Sequence, residues 1–188
     1  MKIKMELLSD VIFGNGMSVP GGEDISVLRD SHGFPYYKGG TLKGIFREEL
    51  ERYLDWEGMD EQSGKETSAR LLGTGGEDRD NPDKLVFSDL TLSEPVKNCI
   101  LQETGTEDPQ PVLDMLTNIR TFTRIDESGM VEEGSLRSGR CVNRGLIFYG
   151  EIQCMERDEE LVKNVLAVIK WIGSMRNRGF GKVRLSAV

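Results

Sequence analysis

Pro35-Tyr36-Tyr37-Lys38-Gly39-Gly40-Thr41-Leu42-Lys43-Gly44-Ile45-Phe46-Arg47 is a glycine pair that runs straight into a helical pattern. From Thr41 the apolar residues fall at Leu42, Ile45, Phe46, Leu50, Tyr53 and Leu54, which predicts a helix over about 41–56. Thr41 suits its N-cap, since a hydroxyl there accepts a bond from an early helix N–H. Gly39 and Gly40 let the backbone turn tightly and approach a ligand. The first helical N–H groups have no internal partner and the helix dipole makes that end mildly positive. Lys43 and Arg47 stand four apart, where like charges repel modestly. An anion at the helix start, phosphate above all, accounts for this arrangement. A plain loop-to-helix junction with two solvated cations accounts for it equally.

Upstream, residues 2–12 begin with Lys2, Lys4 and Glu6 alternating against Ile3, Met5 and Leu7, the pattern of a strand with one buried face. Residues 14–35 are a long Gly- and Pro-rich connection, with Ile25, Val27 and Leu28 able to form a short strand or tuck. Downstream, 57–83 reads as an acidic surface excursion and 85–92 as a strand. Residues 93–117, with Pro95, Pro109 and Pro111, read as irregular apart from a helical turn at 112–116. Ile119 to Ile125 is β-branched and strand-like, and Asp126-Glu127-Ser128-Gly129 is a turn. A strand follows at 146–152. Asp158 is placed to cap a second helix bearing Leu161, Val165, Leu166, Val168, Ile169 and Ile172, with Gly173 at its end. A glycine turn, Arg176-Asn177-Arg178-Gly179-Phe180-Gly181, leads into a short edge strand. The order is α+β, close to a ferredoxin-like β-α-β-β-α-β arrangement with large insertions. RNA-recognition modules share that sheet, but the aromatic signature for stacking bases on it is missing.

The 188 residues suit one domain with insertions and carry a formal net charge of −8. That balance argues against indiscriminate nucleic-acid binding by the whole surface. Its distribution is uneven: cations gather at Lys38, Lys43 and Arg47, at Arg137, Arg140 and Arg144, and at Lys170, Arg176, Arg178, Lys182 and Arg184. Leu161 to Val188 contains no Asp or Glu. Cys99, Cys141 and Cys154 are widely separated and the single His32 completes no zinc spacing with them, so a reduced, cytoplasmic setting is expected. No signal peptide and no membrane-spanning run is read. Gly179-Phe180-Gly181-Lys182 departs from a P-loop at Arg176 and Val183, no dinucleotide-binding glycine pattern occurs, and one His supports no catalytic triad.

Three pieces together resemble the RAMP superfamily of CRISPR-associated proteins: Asp24–Asp30 followed by Gly33–Arg47, Thr121–Gly150, and Ile172–Gly181. The pattern is most similar to the repeated backbone subunit of type III (Csm/Cmr-class) effector complexes. Lys38 stands where that pattern has Pro, and Gly40-Thr41 where it has Ser-Ser. The resemblance implies one RAMP domain over 1–188, with a ferredoxin-like core, insertions near 57–83 and 93–140, and a thumb hairpin over Arg120–Arg140 with its tip near Glu127–Glu133. It implies guide RNA and complementary target RNA as ligands, and copies of the same chain and other type III subunits as partners, with no membrane.

The residues it assigns to RNA are Lys38, Gly39, Gly40, Thr41, Lys43, Arg47, Arg137, Arg140, Arg176, Arg178, Gly179 and Gly181. The family's active aspartate corresponds to Asp24, which would cleave target RNA with a divalent metal ion, Mg or Mn, that it helps to hold; Glu23 and Asp30 are nearby rivals. A flexible carboxylate there can place an ion against a phosphate or take a proton from a ribose hydroxyl. The alternatives are a structural RNA-binding subunit without chemistry and, more weakly, a guide-processing endoribonuclease.

Overall fold

Ile3, Met5 and Leu7 point inward from Lys2–Leu7 and are essentially fully buried, which fixes β1 as a one-faced strand. The computed structural model describes residues 1–14, 23–74, 83–105 and 108–188. Seven strands and five α-helices are described, numbered in chain order. β1 is central. It pairs antiparallel with β6 (Ile147–Gln153), Met5 opposite Phe148, and with β7 (Val183–Ala187), Met5 opposite Leu185. Beyond β6 lie β2 (Val86–Phe87) and β3 (Thr91–Leu92). With α1 (Gly39–Trp56) after β1 and α5 (Glu159–Val168) after β6, this is the ferredoxin-like topology, strand order included. Leu42, Phe46, Leu50 and Leu54 of α1 and Val162, Val165 and Leu166 of α5 join the buried side of the sheet in one core. The opposite face carries Lys2, Lys4, Glu6, Glu151 and Arg184, with Tyr149 as its aromatic, so it offers no stacking platform.

The strand expected over 85–92 is broken by a bulge. Phe87 faces Ile152 and Thr91 faces Tyr149, so three residues oppose two. The extra residue turns Asp89 toward the helix, where its Oδ1 accepts from the Gly39 N–H (2.8 Å). A carboxylate of the protein itself therefore occupies part of the α1 N-terminus. Lys38, and not Thr41, is the N-cap residue, with no side-chain cap bond.

Three helices were not foreseen in the insertions or were foreseen too short. α2 (Glu61–Leu72) is capped by Asp60, which accepts from the Ser63 N–H (3.0 Å) and hydroxyl (2.7 Å). α3 (Glu94–Thr104) and α4 (Pro109–Leu116) each begin with proline in the first turn, where its missing N–H costs nothing. α5 ends at Val168, short of the expected Ile172. Asp158 is its N-cap by position, but its carboxylate accepts a fork of two bonds from Arg70 (2.9 and 2.8 Å) instead of capping.

A second, two-stranded sheet is a hairpin. β4 (Thr117–Phe122) pairs with β5 (Arg137–Val142), Thr117 opposite Val142 and Phe122 opposite Arg137. Its base is tied to the body by a Val11–Val142 bridge and a parallel Ile25–Gly139 bridge. Its far end closes through an Ile125–Val131 bridge, with the Asp126 carboxylate accepting from the Ser128 and Met130 N–H groups (2.8 and 3.0 Å).

Candidate nucleic-acid interface

Met175 adopts left-handed backbone (φ 58°), and behind it Arg176–Arg178 form a short 3-10 turn that projects two guanidinium groups. Three hollows meet at this turn. The first, about 410 Å³, is lined by Lys38, Thr41, Tyr36, Glu48, Ser174 and Arg176 over an apolar floor that includes Phe13 and Ile45. The second, about 520 Å³, lies along the hairpin with Arg137 and Arg178, together with Glu133 and an Arg124–Glu132 ion pair (3.2 Å). The third, about 680 Å³, holds Arg120, Arg144, Arg178, Phe122 and Phe180, the two rings meeting edge to face at 5.6 Å. Arg178 belongs to both hairpin hollows, so Lys38, Arg176, Arg178 and Arg137, none of them ion-paired among the described residues, form a ridge of exposed cations from the start of α1 across the glycine turn onto the hairpin, with Glu48, Glu132 and Glu133 beside it.

Lys43 and Arg47 are not part of that ridge. Along α1, Thr41, Ile45 and Glu48 face the first hollow, and at 100° per residue Lys43 and Arg47 stand about 160° and 120° away from Thr41 around the helix. Arg47 donates to the carbonyls of Leu72 (3.2 Å) and Gly73 (2.9 Å), closing the end of α2. Burial lowers the pKa of the Lys43 amine, helped by the charges of Lys84 and Arg47. Arg140 is also spent internally. It is 7% exposed, donates to Asp114 (2.6 Å) and Glu23, and reaches the Thr117 hydroxyl (3.0 Å). A guanidinium enclosed by two carboxylates is a strut of the hairpin base and not a phosphate ligand, which corrects its assignment to RNA.

The glycines divide similarly. A Cβ on Gly39 would stand 2.4 Å from the Phe87 carbonyl oxygen, and one on Gly181 2.0 Å from that of Ile172, so both are packing positions. Gly40 and Gly179 have open space around them.

Asp10 pins the three parts together. It accepts from Arg120 (2.9 Å), Asn118 (3.2 Å) and the Arg144 N–H (3.0 Å), while its carbonyl accepts from the Gly181 N–H (2.9 Å). Burial pushes its carboxyl up, but those donors outweigh burial and hold the pKa below the ordinary aspartate value. Arg120 and Arg124 escaped the sequence reading. Their spacing with Phe122, every second residue of a strand, was the available sign that they share a face.

Asp24 is exposed, and it is not a flexible loop carboxylate. Its Oδ2 accepts from the Ser138 N–H (2.7 Å) on β5, which leaves Oδ1 for a ligand. Glu23 is engaged by Arg140, and Asp30 accepts from the His32 and Phe34 N–H groups (2.9 and 3.0 Å). Among the described residues no group of three His, Cys, Asp or Glu side chains comes together to hold a metal ion, and no helix is long and apolar enough to cross a membrane. Gly21 and Gly22, which precede Asp24, lie outside the described residues.

Among solved structures, a chain in the cryo-EM structure of the type III-B Cmr-beta bound to cognate target RNA superposes with a TM-score of 0.70 at 14% identity, covering 98% of this chain and 95% of that one. A chain of the Cmr-beta apo state gives 0.66 at 14% identity with the same coverage. At such identity the likeness is one of fold. No curated protein matches the sequence. The RAMP superfamily profile matches residues 4–184, and the chain therefore belongs to the RAMP superfamily.

Proposed function

We propose that this protein is a backbone subunit of a type III CRISPR effector complex, laying guide RNA over the ridge formed by Lys38, Arg176, Arg178 and Arg137 while base pairing selects the target. The observation that carries this reading is the meeting of three hollows, each with exposed arginine or lysine on its lining, at one exposed turn. Arginine forks at such a turn suit phosphate oxygens, and Gly40 and Gly179 let the strand come close. The same division of labour, protein on the backbone and pairing on the sequence, operates in other RNA-guided effectors. On this reading Asp24, at the hairpin base, acts on the complementary strand. Its Ser138 bond holds the carboxylate still, and Oδ1 can take the proton of a ribose 2′-hydroxyl. A divalent ion, Mg or Mn, would be held here by the free oxygen of Asp24, as the alternative to that proton-accepting role, and would neutralise charge on the phosphate.

The salt dependence of RNA binding tests the ridge. Each lost single-strand phosphate contact should flatten the slope of log K against log salt by about 0.7. Arg178→Ala should do so, and Lys43→Ala, on the far flank of α1, should not. Equal effects from both would remove the ridge. For the chemistry, assembled complexes carrying Asp24→Ala should bind target RNA and leave it intact. Undiminished cutting would exclude Asp24. A second reading, a structural RNA-binding subunit without chemistry, is favoured by the lone carboxylate at this position, and it requires that complexes with Asp24 intact also leave target RNA uncut.

A further inference from the structure

Asp24 hangs on a narrow attachment. Residues 23–25 meet β5 through one parallel bridge, Ile25 to Gly139, and both of its backbone bonds belong to Ile25. The Ile25 N–H donates to the Ser138 carbonyl (3.2 Å), and the Ile25 carbonyl accepts from the Arg140 N–H (2.9 Å). The Asp24 carboxylate then takes the Ser138 N–H (2.7 Å). On the other side of Asp24 the chain is held by a side chain. Glu23 Oε1 accepts from Arg140 Nε (2.9 Å) and from Arg140 Nη2. Arg140 is itself fixed by Asp114 (2.6 Å) and the Thr117 hydroxyl (3.0 Å). Asp24 therefore sits between two clips, one of backbone and one of side chain, and both end on β5. The exposed carboxylate is the middle one; Glu23 and Arg140 are largely enclosed.

We infer that Glu23 is a positioning residue for Asp24: clamped by Arg140, it fixes the peptide unit before Asp24 and so aims the free Oδ1. The inference rests on the reading above in which Asp24 acts on RNA. Glu23 does not itself do that work, since its Oε1 is taken by two guanidinium N–H groups. Charge-assisted bonds of this kind are the strong ones, and they act one residue from the group they orient. Without them the chain is anchored only from Ile25 onward, and the Asp24 carboxylate swings about that single clip. Arg140 also cancels the Glu23 charge, so no second bare carboxylate beside Asp24 repels an incoming phosphate. Glu23 is on no part of the lining of the three hollows among the described residues, so its effect on guide binding is nil.

The test compares Glu23→Ala with Glu23→Gln, whose amide oxygen still accepts from Arg140 although the charge is gone. In assembled complexes at saturating target RNA, Glu23→Ala should slow single-turnover cutting about 10- to 100-fold, the scale of a small misplacement at a reacting centre. Target affinity and the salt slope should not move. Glu23→Gln should recover most of the rate. Hydrogen exchange in the chain alone needs no cutting: the Ser138 amide, bonded to Asp24, should exchange faster in Glu23→Ala and at the parent rate in Glu23→Gln. Arg140 keeps Asp114 and Thr117 in both variants, so the rest of β5 should stay protected and shows that the hairpin is folded. A Glu23→Gln protein as slow as Glu23→Ala would place the Glu23 charge in the chemistry and overturn the positioning role. Glu23→Ala cutting at the parent rate also overturns it, and leaves Asp24 in place so long as Asp24→Ala is inactive. If Asp24→Ala cuts undiminished, or the parent complex does not cut, both readings fall together.

Discussion

The two flanks of α1 come from one short motif and do opposite work. On one flank Lys38, Thr41 and Glu48 look into an open hollow shared with Arg176. On the other, Lys43 feels the charges of Lys84 and Arg47, and Arg47 donates hydrogen bonds to the carbonyls of Leu72 and Gly73 at the end of α2. Charge type does not separate the two sets; what a side chain meets does. The hairpin repeats the lesson with Arg137 in an open hollow and Arg140 locked between Glu23 and Asp114, and the C-terminal turn repeats it with Gly179 open and Gly181 packed. Sites spent inside should fail in stability, and sites facing outward should fail in RNA binding.

The glycine pair should show the widest gap. At Gly181 (φ +84°) an added Cβ meets the Ile172 carbonyl oxygen at 2.0 Å, and the Ile172 N–H donates to the Gly181 carbonyl (2.8 Å). Backbone strain and the clash together should cost about 3 kcal/mol or more in Gly181→Ala. At Gly179 (φ +85°) nothing lies within 4 Å, so Gly179→Ala carries only the left-handed penalty of about 1 kcal/mol. Urea unfolding of the two variants measures the difference. Equal midpoints would break the distinction between packed and open glycines.

The arginine pair comes next. The Arg140 side chain is 9% exposed and its Glu23 partner 18%, so Arg140→Ala strands a half-enclosed carboxylate and should cost about 3 kcal/mol. Arg137→Ala touches no such pair and should shift stability by less than about 0.5 kcal/mol while flattening the salt slope of RNA binding by about 0.7. An Arg140→Ala protein that unfolds like the parent would return Arg140 to the list of available cations.

Much of this division was within reach of the sequence. Leu42, Phe46 and Leu50 set the buried stripe of α1, and helical arithmetic from that stripe already sends Thr41 and Glu48 one way and Lys43 and Arg47 the other. The alternation in β1 and the β-branched run at 119–125 placed the central strand and half the hairpin. α2 was hidden because it buries only Ser68, Leu71 and Leu72, too little to print a period on twelve residues. The prolines at 95 and 109 pointed to loops when each was starting a helix. Arg140 could not be read at all: its partners at 23, 114 and 117 are brought to it only by the closed hairpin and the parallel bridge at Ile25. Likewise nothing local announces that Asp89, fifty residues from Gly39, fills the start of α1.

The smallest effect belongs to Tyr37, which lies under the open flank. Its ring packs on Phe13 at 5.0 Å and is 3% exposed, and its hydroxyl makes no well-formed hydrogen bond among the described residues, the Gly173 N–H being near but poorly placed. Burial pushes the phenol up to about 12, with the Gly173 N–H and the Arg176 charge pulling weakly the other way. Removing an unsatisfied buried hydroxyl should cost little, so Tyr37→Phe should stay within about 0.5 kcal/mol of the parent at pH 7. Alkali should then separate them. An unfolded chain releases the phenolic proton near pH 10 and the folded chain holds it to about 12, so the parent loses stability between those values as ionisation favours the unfolded state. Tyr37→Phe has no such proton to lose and should fall less steeply over the same window. A large penalty at pH 7 would mean that the hydroxyl supports the Gly173–Arg176 turn directly, and the boundary between packed interior and open ridge would then move outward by one residue.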